Sequence, residues 1–172
     1  MLARAIGLPL SQEELEAGAE LRLSAESTEI ASGVWITGGI TSRPEPEGRS
    51  DRHLVRERDG WAPDPYRDDL SLVLHTAQGL VLLCGCCHAG LLNTLLHVRR
   101  TFGDELIAVA GGTHLADTDE AYLEHVATVL HREYRSSRLY LSHCTGEKAR
   151  FVLAGAFGKG VRSCLVGTVL SF

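Results

Sequence analysis

Three histidines stand at equivalent places in the sequence, each just after an apolar segment of strand length and a few small residues. They are His88, His114 and His143, and thiols accompany the first and the third, where Cys86 and Cys144 are found. Imidazole suits Zn²⁺, iron or Mn²⁺, and a thiolate favours Zn²⁺ or iron. These residue types indicate a transition-metal site, with zinc as the expected cofactor and iron or manganese as alternatives.

The position of these residues at strand ends gives them a reason to meet. The carboxyl ends of neighbouring parallel strands lie about 5 Å apart at one edge of a sheet, where open α/β folds place their chemistry. His88, His114 and His143 are therefore predicted to lie within reach of one or two metal ions. Whether Cys86 or His88 supplies a ligand is left open. Since neighbours along a strand face opposite sides, one of Cys86 and Cys87 should face the site and the other the core.

Asp69 is the candidate carboxylate of this predicted site. It lies directly before a predicted strand, where it either caps a turn or supports catalysis by orienting a metal-binding histidine. Cys84 and Cys164 are interpreted as small core residues. The loop arginines, among them Arg43 and Arg49, are interpreted as solvated, with phosphate binding as the alternative.

Alternating strands and helices must position these residues. A hairpin is predicted from residues 70–74 and 80–83, and it is followed by three helix–strand pairs. The helices are predicted at 91–100, 119–134 and 147–157, and the strands at 105–110, 138–141 and 161–172. Asp117 or Thr118 is the expected cap of the second helix. This order predicts a layered α/β sheet.

Residues 41–69, which hold four of the five prolines, are predicted to be a long loop, either a functional lid or disordered.

Composition predicts one globular domain, residues 1–172, with 44% hydrophobic and 23% charged residues. The net charge of −5 argues against nucleic acid or an anionic membrane as a partner. We find no signal peptide and no apolar run near the roughly 18 residues that a membrane helix needs. The cysteines, five in number with two adjacent, indicate reduced thiols and hence a cytoplasmic protein.

A set of motifs in a fixed order resembles the metallo-β-lactamase-fold hydrolases, in particular the branch of 7,8-dihydropterin-6-methyl-4-(β-D-ribofuranosyl)aminobenzene-5'-phosphate synthase. The motifs are Gly33-Val34-Trp35-Ile36-Thr37-Gly38, Asp68-Asp69, Gly85-Cys86-Cys87-His88-Ala89-Gly90 with Asn93-Thr94, Gly111-Gly112-Thr113-His114-Leu115 and His143-Cys144-Thr145-Gly146. The resemblance implies an αββα sandwich of two halves with a one- or two-metal site between the sheets. It also implies that His143 is the last ligand histidine, that His88 or Cys86 supplies another ligand, and that His114 lines the same site.

The sequence departs from that family at one important point. Such enzymes carry His-x-His-x-Asp-His in their N-terminal half, and this motif is absent here. The resemblance therefore implies the C-terminal half of the sandwich, with an incomplete metal site and an apolar sheet face that lacks a partner sheet. The expected partners are a small-molecule substrate, possibly phosphorylated, and either a second copy of the chain or a partner chain that supplies the missing half.

Two functions follow from the sequence. The first is a metal-dependent hydrolase, or a related transferase, that is inactive without a chain bearing the missing motif. The second is a non-catalytic metal-binding or interaction module. A thiol redox protein based on Cys86 and Cys87 is a weaker third interpretation, because these two residues lack Cys-x-x-Cys spacing.

Overall fold

One mixed sheet with helices on one face forms the framework of the molecule. The computed structural model describes residues 5–50, 52–103, 105–135 and 137–172. In chain order the elements are α1 (Gln12–Glu16), β1 (Thr28–Ala31), β2 (Val34–Ile36), β3 (Leu54–Glu57), β4 (Gly60–Pro63), β5 (Ser71–Thr76), β6 (Gly79–Cys84), α2 (Leu91–Phe102), β7 (Leu106–Gly111), α3 (Glu120–Glu133), β8 (Arg138–Leu141), α4 (Glu147–Phe157) and β9 (Val161–Ser163).

Seven of the strands make up the main sheet, in the order β1-β2-β5-β6-β7-β8-β9. Pairing is antiparallel from β1 to β6 and parallel from β6 to β9. In the parallel part, strands alternate with α2, α3 and α4 along the chain, as the sequence predicts. The α/β fold class is thus confirmed.

The end of α2 agrees with the sequence-based prediction, whereas the N-terminal cap of α3 differs from it. Gly103 ends α2 in the left-handed conformation, with φ of 74°, as expected of a glycine at that position. The cap of α3 is Asp119, not Asp117 or Thr118, because the Asp119 carboxylate accepts the Tyr122 N–H at 2.8 Å. Within the described ranges, no helix is long and apolar enough to cross a bilayer.

Two predicted boundaries were wrong. The final strand, predicted over 161–172, stops at Ser163; beyond it, Gly167 has φ of 87° and Thr168 N–H closes a turn on Leu165 O. The loop 41–69 contains the hairpin β3–β4. Its strands have only four residues each and one ends in Pro63, and neither shows the alternation of apolar and polar residues that is typical of a half-buried strand.

The main core lies between the sheet and helices α2, α3 and α4. Its largest fully buried side chains are leucines from both layers, including Leu82 of β6, Leu95 of α2, Leu123 of α3 and Leu153 of α4. The apolar stripes of three consecutive crossover helices therefore pack on one sheet face.

The opposite sheet face carries a smaller cluster, formed by Val81, Ala108, Ala110 and Tyr140. Residues from the C-terminal segment pack against it, and the rings of Tyr140 and Phe172 meet edge-to-face with centroids 6.0 Å apart. The apolar face that the resemblance implies is therefore partly covered by the chain's own residues.

Truncation of the main core should be costly. Leu82 is 0% exposed at the centre of the sheet, so Leu82→Ala should lower the free energy of unfolding by about 2–5 kcal/mol. Val166→Ala is the control, because Val166 is fully exposed at 108% and should change stability by less than about 0.5 kcal/mol. Urea unfolding followed by circular dichroism measures both; equal losses would contradict this packing.

Candidate metal centre

The candidate site lies where β6, β7 and β8 end side by side. Cys84 pairs with Gly111 at the last register position of β6 and β7, and Gly111 pairs with Leu141. The pairing continues past the strands, since Gly112 N–H donates to Gly85 O at 3.1 Å. The three turns that follow these strands are therefore neighbours, as the sequence predicts.

Cys86, His143 and Cys144 form one group in these turns, here called the thiol cluster. Their candidate ligand atoms all lie within 4.8 Å of one another. Cys86 Sγ is 3.0 Å from His143 Nε2, and Cys144 Sγ contacts Cys86 O at 3.7 Å. On its other side, the His143 ring bonds through Nδ1 to Ser142 Oγ at 3.1 Å, which fixes its orientation. Two thiols and an imidazole in this arrangement suit Zn²⁺ or iron.

Gly112 is what allows the thiol cluster to close. A Cβ atom at this position would lie 2.5 Å from Cys144 Sγ, 2.6 Å from Gly85 O and 2.7 Å from His143 Cε1. Any side chain there would collide with two members of the cluster.

The thiol cluster favours the protonated form of Cys86 when no cation is present. Burial, followed by the effects of Cys144 and Asp69, raises the pKa of Cys86 to about 11. A metal ion must therefore displace a proton to bind this sulfur, which is typical of thiolate sites.

Cys87, next to Cys86, faces the other way. It is 1% exposed and belongs to the main core, so Cys87 is the one of the two neighbours that faces the core. Its pKa is raised by a hydrogen bond with Cys84 and then by burial. The thiol redox interpretation was weak because Cys86 and Cys87 lack Cys-x-x-Cys spacing. Cys84 and Cys87 do have this spacing, but both pack in the core.

A second group, the imidazole cluster, consists of His53, His88 and His114. The ring centroids of His88 and His114 are 4.6 Å apart. His53, from the loop, lies 5.8 Å from His88 and 6.4 Å from His114. The two clusters touch, because His114 N–H donates to Cys144 Sγ at 3.3 Å.

Both strand-end imidazoles of this second group are biased towards the neutral form. Burial is the largest cause that lowers the pKa of His88, where His53 adds to the effect and Asp69 opposes it. Burial also lowers the pKa of His114, with further lowering by His88 and His53. A neutral imidazole has the free lone pair that a proton or a metal ion requires.

Tyr66 holds the imidazole cluster from the loop side. Its hydroxyl bonds to His53 Nδ1 at 2.8 Å and accepts the Ser50 N–H at 3.2 Å. The Tyr66 ring also packs against His88, with centroids 4.3 Å apart. The phenol thus orients one imidazole of the cluster and contacts a second.

Strained backbone is concentrated at this site. Among the described residues, those other than glycine with positive φ are Tyr66, Cys87 and His114, at 46°, 56° and 47°. Such conformations cost roughly 1–3 kcal/mol each and persist only where the surroundings impose them. Here they aim the ring of Tyr66 and turn the chain at two strand ends.

The loop 41–69 is held in place by hydrogen bonds, so it is not a freely moving lid. Arg43 donates to Ile40 O, Glu47 Oε2, Pro65 O and Tyr66 O at 2.6–3.0 Å. The guanidinium, interpreted from the sequence as solvated or phosphate-binding, instead joins the two ends of the loop.

Asp69 has a positional role in the structure. Its Oδ2 accepts the N–H of Ala89, next to His88, at 2.8 Å. This carboxylate therefore fixes the turn that carries Cys86 and His88. Both interpretations from the sequence, a turn cap or a carboxylate that orients a metal-binding histidine, assigned Asp69 a role in positioning other residues.

The structure redistributes the predicted ligands. His88 and His114 meet, as predicted, while His143 joins Cys86 in the other cluster. The sequence analysis noted Cys144 beside His143 but did not include it among the predicted ligands, although its place next to a strand-end histidine was a usable signal. It missed His53 and Tyr66, which lie in a polar loop where no local pattern marks them.

A cavity of about 260 Å³ opens beside His114. It is bounded by the loop and the start of α3, and its lining includes Glu47, Arg49, Asp117 and Tyr122. The candidate metal centre thus adjoins a space for a small molecule.

Comparisons with known proteins agree with this geometry. A solved structure of a metal-dependent hydrolase of the beta-lactamase superfamily superposes with a TM-score of 0.79 and 25% identity, over 89% of this chain and 58% of that chain. The chain has the metallo-β-lactamase fold. The predicted relationship to this superfamily is thereby confirmed. No protein-family model matches the chain.

The chain is also similar to a curated protein that is named as a synthase. The chain is 24% identical over 176 residues to 7,8-dihydropterin-6-methyl-4-(beta-D-ribofuranosyl)-aminobenzene-5'-phosphate synthase of Methanocaldococcus jannaschii. The match covers 100% of this chain and 60% of the relative. The chain thus spans 60% of the length of this relative and 58% of the length of the solved structure.

Gly112→Ala should disrupt the thiol cluster, because the new methyl group collides with Cys144 and His143. We expect a loss of about 1–3 kcal/mol in urea unfolding and a weaker sulfur-to-cobalt charge-transfer band on Co²⁺ addition. Gly85→Ala is the matched control, since a Cβ at Gly85 meets nothing within 4 Å. If both variants behave alike, Gly112 does not shape the cluster.

Asp69→Ala should free the buried Ala89 N–H and speed its hydrogen exchange, with a stability loss of about 1–3 kcal/mol. Asp69→Asn keeps an acceptor oxygen and should retain most of the protection. NMR-detected exchange of this amide distinguishes the two, and rapid exchange in both variants would mean that the charge itself is required.

Proposed function

We propose that this chain is a metal-dependent hydrolase domain, or a related transferase domain, that acts on a small molecule. The observation that carries the proposal is the thiol cluster, in which Cys86, His143 and Cys144 bring three candidate ligand atoms within 4.8 Å. The superfamily relationship supports it, since the solved relative is described as a metal-dependent hydrolase.

Zinc is the metal that we propose, with iron as the main alternative and manganese less suited to sulfur. Two thiolates and an imidazole are among the donor sets that bind Zn²⁺, and three protein ligands leave a position for water or substrate. Because the pKa of Cys86 is raised, a metal ion must displace a proton from this thiol in order to bind it.

The chain's own residues prepare the place where a metal ion acts as a Lewis acid. Ser142 orients His143, and Asp69 fixes the turn that carries Cys86. Gly112, without a side chain, leaves room for the side chains of Cys144 and His143. Each of these contacts sets the position of a ligand before a metal arrives, which limits the reorganisation that binding requires.

The cavity beside His114 is our proposed substrate position. The relative is named as the synthase of a 5'-phosphate compound, so a phosphorylated substrate is one class to test. The lining itself offers phosphate little positive charge, because Arg49 is paired with Glu47 and Asp117 lies nearby. A neutral or cationic part of the substrate fits this lining better, with any phosphate placed elsewhere.

We further propose that activity needs a second polypeptide, either a second copy or a chain with the His-x-His-x-Asp-His motif. The sequence lacks that motif, and the sheet face opposite the helices is only partly covered by the chain itself. Metal binding without turnover, even with such a partner present, would favour the non-catalytic metal-binding module.

Substitution of the thiol cluster tests the proposal. Cys86→Ser, Cys144→Ser and His143→Ala should each lower Co²⁺ affinity at this cluster by at least about 10-fold, and the serine variants should also weaken the sulfur-to-cobalt charge-transfer band. Cys164→Ser is the control, because Cys164 packs on the opposite sheet face. Metal content by mass spectrometry accompanies the titration; unchanged content and spectra in all three variants would rule out this site.

A further inference from the structure

One side of α4 is left uncovered by the described part of the chain. The other side packs into the main core through Ala149 and Leu153, which are 0% and 1% exposed. The uncovered side, here called the α4 stripe, is apolar or small in its middle and charged at its ends. Its exposed residues, which run on into the turn after the helix, are Glu147, Lys148, Phe151, Ala154, Gly155, Gly158 and Lys159.

Phe151 stands near the middle of the α4 stripe with 83% of its surface exposed. A ring of this size recovers a large amount of free energy when another surface covers it. Single exposed apolar side chains are common on proteins, however, so the ring alone does not indicate a contact. The residues one helical turn further along supply the second observation.

Gly155 lies one turn after Phe151 on the same side of α4. A Cβ at this position would meet nothing within 4 Å, so the fold of this chain does not require a glycine there. Glycine is also less favourable than alanine within a helix. With Ala154 beside it, Gly155 makes a shallow depression that a ring from another molecule can fill.

We propose that the α4 stripe is the contact between two copies of this chain, with the two α4 helices antiparallel. A two-fold axis at the level of Leu153 would place each Phe151 ring over the partner's Gly155, because both positions lie two residues from that level. The surface is then complementary to itself, as a two-fold interface must be. This inference goes beyond the proposed function and uses no residue of the thiol cluster.

The charges at the ends of the α4 stripe fit the same arrangement. Glu147 and Lys159 lie six positions on either side of Leu153, so each would meet the opposite charge on the partner. Neither forms an ion pair within the described ranges, whereas Lys148 contacts Glu120 at 3.5 Å. Two parallel helices would instead bring like charges together, which is unfavourable. The charges therefore favour two antiparallel copies.

The size of the α4 stripe predicts how strong this contact is. A helix of 11 residues offers one side and one large ring from each copy, which is less than the roughly 1,200 Å² of a small stable interface. Surfaces below that size are typical of weak, reversible complexes. We therefore expect a dissociation constant between about 1 µM and 1 mM.

Sedimentation equilibrium of the full chain over that range of concentrations tests the contact. The mean mass should rise from 18.6 kDa towards twice that value. Phe151→Ala should weaken association by at least about 10-fold. Gly155→Ala should also weaken it, while the urea midpoint stays equal or rises, because alanine favours the helix and its methyl group meets nothing in the chain. Val166→Ala, at an exposed position outside the stripe, is the control.

Two results of this experiment would overturn the inference. A mass of 18.6 kDa at every concentration would mean that a different polypeptide, or only water, covers the α4 stripe. Equal association of the wild type, Phe151→Ala and Gly155→Ala would mean that the copies meet through another surface.

A charge exchange tests the antiparallel arrangement. Glu147→Lys should weaken association at low salt, because it faces the partner's Lys159, and adding Lys159→Glu to it should restore the affinity. A single variant as tight as the wild type, or a double variant no tighter than the single one, would overturn the inference.

A carbodiimide cross-link gives a direct readout of the contact. Glu147 and Lys159 of one chain lie about 18 Å apart along the helix, so a direct amide between them can form only between copies. Mass spectrometry of mixed ¹⁴N and ¹⁵N chains should detect this amide, and its absence in a dimer would contradict the arrangement. Cys144→Ser should form the dimer as the wild type does, so failure of the metal site and failure of the dimer are separate results.

Discussion

The buried side-chain amide of Asn93 joins the parts of the molecule that meet at the candidate site. It accepts the Glu45 N–H, donates to Glu45 O and donates to Ala89 O, all at 2.7–2.9 Å. One side chain thus pairs with the loop backbone as a neighbouring strand would, while it also holds the turn after β6. Because Asn93 is 0% exposed, loss of any of these bonds would leave a buried polar group unpaired. This connection therefore helps to hold the loop where its residues reach the site.

Much of the fold follows from local patterns in the sequence. Apolar runs of four to six residues, leucines at helical spacing and glycines at the ends predict β6–α2–β7–α3–β8–α4 in the right order, because each signal lies within its own element. The end of β9 and the hairpin β3–β4 were mispredicted because the residues within these elements carry no such local signal. The first depends on how residues 164–172 pack on the sheet, and the second forms from two four-residue strands that lack an alternating apolar pattern.

The site was predictable to the extent that it is built from strand ends. His88, His114, His143 and Cys86 could be placed at one edge because parallel strands order their ends in space. The sequence could not divide them into two clusters, since that depends on backbone turns such as the positive φ of His114. Nor could it place His53, which reaches its neighbours through contacts between residues far apart in the chain. The position of Tyr66, which has a positive φ, could not be predicted for the same reason.

The two outermost strands of the sheet limit how this protein can associate. At one edge β1 has 4 residues with a register shift, and at the other β9 has 3. Short and irregular edges present few free backbone groups, so they are poor templates for adding a further strand and guard against open-ended aggregation. On the sheet face opposite the helices, Val81 and Tyr140 are already buried by the chain itself. The two edges of the sheet are therefore poor places for another polypeptide to bind.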